Sequence, residues 1–80
     1  MHELGVLLEV VRIVRDTAQK HHIRRIQSVT LSVGEDSGCL PAFLMKLYPV
    51  AIEHIPVMRD SKLIIEHASG RGLQVKNIGY

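Results

Sequence analysis

Met1, His2 and Glu3 bring an α-amine, two backbone amides and an imidazole together in three residues. With histidine in second place, the Met1 amine, the His2 amide nitrogen and the His2 imidazole can wrap one metal ion in fused chelate rings. The Glu3 amide nitrogen is a further donor. Nitrogen donors in a square plane suit Ni(II) or Cu(II). An amide nitrogen coordinates only when deprotonated, so binding releases protons and weakens in acid. Affinity order alone favours copper, so selectivity for nickel would rest on supply and partners. On spacing alone the competing reading is an incidental exposed histidine, since the motif is three residues long.

Other side chains could add to such a site. Glu35 and Asp36 follow a predicted strand and could form an acidic layer behind the Met1-His2-Glu3 donors, or a contact for a partner. A solvated turn is the competing reading. Cys39 could offer a soft thiolate, and a small, largely apolar core residue is the favoured alternative. His21 and His22 are adjacent, so on a helix they point about 100° apart and share no face. His54 and His67 have no ligand-like spacing to a partner, and all four read as surface histidines. The run Lys20-His21-His22-Ile23-Arg24-Arg25 reads as a solvated helix end, whose cations suit the negative pole of the helix dipole. A phosphate-binding patch is its alternative.

These residues need elements to hold them. Leu4, Leu7, Leu8, Val11, Val14 and Ala18 recur at helical spacing, which predicts a helix over 4–20. Val29, Leu31 and Val33 alternate with Ser28, Thr30 and Ser32, which predicts a strand over 26–33 with one buried face. Gly34 to Gly38 form a loop. Leu40, Leu44, Leu47, Tyr48, Ala51, Ile52 and Ile55 predict a second helix over 41–55, begun by Pro41 and kinked or divided by Pro49. Short strands follow at 62–66 and 73–78, and Asn77-Ile78 breaks the alternation of the last, which predicts a bulge or fraying. The fold expected is α+β: a single two-layer domain over residues 1–80, in the order α-β-α-β-β, with helices on one face of a small three-stranded sheet.

Composition narrows the function classes. Of 80 residues, 46% are hydrophobic and 22% charged, which suits a globular domain with an aliphatic core. The net charge of +2 is too small to imply nucleic-acid binding. One cysteine excludes an internal disulfide and fits a reducing cytoplasm. No apolar run reaches the ~20 residues that span a bilayer, and Glu3, Glu9 and Arg12 interrupt any signal-peptide pattern. There is no glycine-rich phosphate loop and no nucleophile with an evident base, so no enzyme activity is expected.

The chain opens Met1-His2-Glu3-Leu4 and its first helix ends Ala18-Gln19-Lys20-His21. The stretch Arg25-Ile26-Gln27-Ser28-Val29-Thr30-Leu31-Ser32-Val33-Gly34-Glu35-Asp36-Ser37-Gly38 follows. In order and spacing these segments resemble the HypA/HybF family of hydrogenase nickel-insertion proteins. Lys62-Leu63-Ile64-Ile65-Glu66 is similar to the family's strand before its zinc domain, and Gly72-Leu73-Gln74-Val75-Lys76-Asn77-Ile78 to its closing strand. The resemblance covers nearly the whole chain. It implies Ni(II) held at Met1, His2 and Glu3. It implies delivery to a [NiFe]-hydrogenase large-subunit precursor, alongside a GTPase of the HypB type.

One departure is large. The family carries two Cys-x-x-Cys pairs between those last two strands, and here only His67-Ala68-Ser69-Gly70-Arg71-Gly72 intervenes. A structural zinc site takes about four Cys or His ligands, so no zinc is expected. The zinc domain reads as deleted between residues 67 and 72, leaving a β-hairpin connection of ordinary length. Two other functions stay open. One is a metal-free interaction module derived from the family, binding a partner by a helix or sheet edge, or pairing as a homodimer through strand 73–78. The other, an RNA-binding domain, rests on the basic run alone and lacks an aromatic platform.

Overall fold

Leucine, valine and alanine on one stripe give the first helix its reason to form, and the computed structural model, which describes residues 3–70 and 72–80, carries it as α1 (Glu3–Lys20). The chain continues as β1 (Ser28–Gly34), α2 (Pro41–Ala51), a single 3-10 turn (Pro56–Met58), β2 (Lys62–Ala68) and β3 (Leu73–Gly79). The α-β-α-β-β order and the two-layer α+β arrangement expected from the sequence are therefore present.

α1 ends without glycine, and the reason is visible. Ile23 N–H donates to Ala18 O and His22 N–H to Gln19 O, the paired bonds of a Schellman cap. His22 occupies the left-handed position at φ 58°, which a side chain other than glycine adopts at a cost. His22→Gly is expected to raise stability by about 0.5–1 kcal/mol, read as a thermal midpoint about 4 °C higher.

α2 is shorter than its apolar stripe. It runs through Pro49 and stops two residues later, so proline does not divide the helix and the helix does not reach residue 55. Proline removes one backbone donor from the last turn. Beyond it Glu53 N–H donates to Val50 O and Ile55 N–H to Ile52 O, tighter i to i+3 bonds. Ile55, held extended before Pro56, finishes the segment. Ile52 still reaches the core, from this turn rather than from the helix.

The sheet order is β2-β1-β3, with β2 parallel and β3 antiparallel to β1. This corrects the expected hairpin. β2 and β3 do not pair with each other; they flank β1, with Gly70 and Gly72 held at its C-terminal end. The cause is the β1-α2-β2 unit, in which the crossover helix brings β2 back parallel to β1. That leaves the far edge of β1 for β3. Gly34 N–H donates to Gly72 O and Asp36 N–H to Gly70 O, tying both glycines to the end of β1. Gly70 and Gly72 have φ of 114° and 82°, so the short crossing needs glycine at both places.

Val29, Leu31 and Val33 face the helices, opposite Leu63 and Ile65 on β2 and Ile78, Val75 and Leu73 on β3. The register on β3 slips between Thr30 and Leu31 of β1, a bulge at the position the broken alternation indicated. The extra residue turns Ile78, which is out of phase with Val75, back toward the core. Leu7, Val14, Ile26, Leu44 and Met58 are fully buried between the layers. The Tyr48 hydroxyl and the Ser61 hydroxyl share a hydrogen bond of 2.7 Å, and Ser61 also donates to Met58 O. Burial raises the Tyr48 phenol above its ordinary range, with the Ser61 bond opposing.

Candidate metal site at the N-terminal end

Two helix N-termini meet at one end of this fold. α1 and α2 run in the same direction, opposite to β1, and the Glu3 side chain joins their starts. Its Oε2 accepts the Leu40 N–H at 3.1 Å, and Glu3 is only 9% exposed. Leu40 is the N-cap residue of α2 and has no side-chain cap of its own. In a capping box, the third helical residue of the same helix reaches back to the N-cap N–H. Phe43 occupies that position here and cannot accept a bond. Glu3, from the first turn of the other helix, does the work instead. Its carboxylate thereby sits at the positive poles of two helix dipoles.

Of the residues expected to hold nickel, Met1 and His2 lie outside the described residues. Glu3 is turned inward, its carboxylate on Leu40. Glu35 and Asp36 are exposed in the turn that ends β1, which leads by way of Ser37 and Gly38 to Cys39 and Leu40. They therefore lie at the same end of the sheet as Glu3, on the rim formed by the 69–72 crossover. His67 pairs opposite Val33 at this end too, exposed on the edge strand. His21, His22 and His54 are exposed at the other end.

Cys39 is half-buried at the fringe of the core, its N–H donating to the Ser37 hydroxyl at 3.2 Å. Burial pushes its thiol above the usual range, the Glu3 carboxylate pushes it further, and the Ser37 bond opposes both. Its packing against the core fits the reading of Cys39 as a small, largely apolar residue. Among the described residues no three His, Cys, Asp or Glu side chains are grouped to hold a metal ion.

Leu40, the partner of Glu3, could not be picked out from its side chain, because it acts through its backbone N–H. A signal was nonetheless present: Leu40-Pro41 opens a helix without Ser, Thr, Asp or Asn at the cap. An uncapped start asks for an acceptor from elsewhere.

Comparison with known proteins gives the family. A family model described as hydrogenase/urease nickel incorporation, metallochaperone, hypA matches residues 1–77. The hydrogenase maturation factor HypA of Rhizobium leguminosarum bv. viciae is 35% identical over 72 residues, covering 90% of this chain and 63% of that protein. The protein of the same name from Deinococcus radiodurans is 29% identical over 72 residues, 90% of this chain and 59% of its own length. The chain thus spans about three-fifths of the curated relatives it matches. In fold it is similar to the solution structure of the Ni metallochaperone HypA from Helicobacter pylori, with a TM-score of 0.87 over 99% of this chain and 97% of that one, at 14% identity. With the family model matched over nearly its whole length, this chain belongs to the HypA family of nickel-incorporation metallochaperones.

Proposed function

We propose that this chain binds one Ni(II) ion through the Met1 amine, the His2 amide and imidazole nitrogens and the Glu3 amide nitrogen, and delivers it during [NiFe]-hydrogenase maturation. The observation that carries the reading is the Glu3–Leu40 bond. It fixes the start of α1 against α2 and so anchors the backbone at Glu3, the last residue of the motif. A donor set at a chain end suits transfer, and the protein carries metal rather than catalysing a reaction. Glu3 serves by backbone and by tether, not as a carboxylate ligand. Glu35 and Asp36 add negative charge at the same end, which raises the local concentration of a divalent cation.

The recipient is a hydrogenase large-subunit precursor, with a HypB-type GTPase as co-worker, in the cytoplasm. Family membership supports this, and no described helix is long and apolar enough to cross a membrane. In this reading the family's zinc domain is absent between residues 67 and 72 and the chain works without zinc, which its single cysteine supports, since a structural zinc site takes about four Cys or His ligands. One observation favours the interaction-module alternative: β3 is an edge strand beside an apolar groove of about 480 Å³ lined by Val6, Val10, Ile13, Leu73 and Val75.

Calorimetric titration with Ni(II) at pH 7, in two buffers of different ionisation enthalpy, tests the chelate. One-to-one binding with release of about two to three protons is expected, from the amine and the coordinated amides. Binding without proton release would rule out amide coordination.

A further inference from the structure

The run Lys20–Arg25 was read from sequence as a helix end, and the fold adds to it. Ile26 N–H donates to Val57 O, Lys62 N–H to Gln27 O and Gln27 N–H to Gly79 O. These bonds gather Lys20, Arg24, Arg25, Arg59 and Lys62 on one end of the molecule, all exposed, against two acids, Glu53 and Asp60. The whole chain carries only +2, so this end holds more positive charge than the entire protein, and the remainder is slightly acidic. α1, 18 residues long, sets the basic end about 27 Å from the N-terminal motif.

Helix capping explains little of this. The dipole effect fades within the last turn, and only Lys20 lies in one; the last turn of α2 has no cation. Asp60 engages Arg25 at 2.8 Å. Among the described residues, Lys20, Arg24, Arg59 and Lys62 have no acidic partner within ion-pair distance. A shallow cavity of about 530 Å³, lined by Arg25, Gln27, Ser28, Asp60 and Lys62, opens among them and has room for a carboxylate side chain. Tyr80 stands at the same end, 75% exposed. Arginine with an exposed tyrosine is the composition of protein-interface hot spots.

We propose that this basic end, with Arg24, Arg59, Lys62 and Tyr80 at its centre, is a docking surface for an acidic segment of a partner protein. Docking there is remote from Glu3, at the opposite end of α1. The surface is independent of the nickel reading. Charge complementarity selects the acidic partner. Single-stranded nucleic acid, the other polyanion, is held by several aromatics that stack successive bases, and among the described residues Tyr80 is the only exposed tyrosine, phenylalanine or tryptophan at this end.

The test is fluorescence anisotropy of a fluorescein-labelled decaglutamate peptide at 50 mM salt. Wild-type protein is expected to bind it. Arg24→Glu/Arg59→Glu, which breaks no ion pair in the fold, is expected to weaken binding about tenfold or more, and 300 mM salt to do the same. Glu35→Gln/Asp36→Asn, at the opposite end, is expected to leave it within about twofold. Circular dichroism of each variant checks that the fold is kept. No binding, equal binding by wild type and the Arg24/Arg59 variant, or tighter binding of a fifteen-residue oligouridine than of the peptide would each overturn the proposal.

Discussion

His2→Ala is expected to lower Ni(II) affinity at least about 100-fold while leaving the thermal midpoint of the metal-free protein unchanged. The substitution removes the imidazole, which anchors the chelate and makes deprotonation of the neighbouring amide worthwhile. The amine and amides left behind are weak donors at neutral pH, because a proton holds each of them. A loss of about 3 kcal/mol, or two decades, is the expected scale for a closed chelate ring. The fold should not respond, since the first core-packing side chain of α1 is Leu4 and the first buried one Glu3, both of which the substitution keeps. Equilibrium dialysis against Ni(II) gives the affinity and circular dichroism melting gives the stability.

Glu3 separates two roles that a sequence motif merges. Glu3→Ala is expected to cost about 2 kcal/mol of stability, the scale for losing a charge-assisted bond to a partly buried backbone donor. Eighty residues imply a total of only about 4–12 kcal/mol, so the loss is large. Nickel affinity should fall as well, about tenfold, because the start of α1 is no longer tied to Leu40; that figure is about 1.4 kcal/mol. Glu3→Gln keeps an acceptor oxygen at the same reach, and is expected to recover most of the stability and most of the affinity. Melting curves and nickel titrations on both variants measure the split. If Gln restored stability but not affinity, the carboxylate would be a metal ligand and the tether reading would be wrong.

Much of the fold could be read from periodicity. The α1 stripe and the alternation of β1 each had one physical solution, because burying one face fixes the period and the phase; the break at Asn77-Ile78 allowed a bulge or fraying, and the register shift shows the bulge. Strand order was not legible. Lys62–Ala68 and Leu73–Gly79 are adjacent in sequence with a glycine-rich joint, which is also how a hairpin reads; only the return of α2 across the sheet decides that β2 and β3 flank β1. The length of α2 misled for a similar reason. Ile52 and Ile55 continue its stripe, but core contact can be made from a turn as well as from a helix.

The site was half legible. The proposed Met1-His2-Glu3 chelate was readable as a donor set from atom types, and it is the family resemblance that singles it out. That Glu3 turns inward does not follow, since the cap it completes belongs to a residue 37 positions away. Glu35 and Asp36 were expected near the N-terminus, and the turn they occupy is at that end. The basic end was visible as a short run, yet three of its members, Arg59, Lys62 and Tyr80, come from later segments that only the fold brings there.

The claim at the centre is that the α-amine of Met1 is itself a nickel ligand. Acetylating the Met1 amine tests it, because every side chain is kept while the amine becomes an amide and loses its donor lone pair. Parallel Ni(II) titrations of the free-amine and Nα-acetylated proteins at pH 7 should give tight one-to-one binding for the first and a loss of about tenfold or more for the second. Equal affinity in the two would contradict the account and move the nickel site away from the chain end.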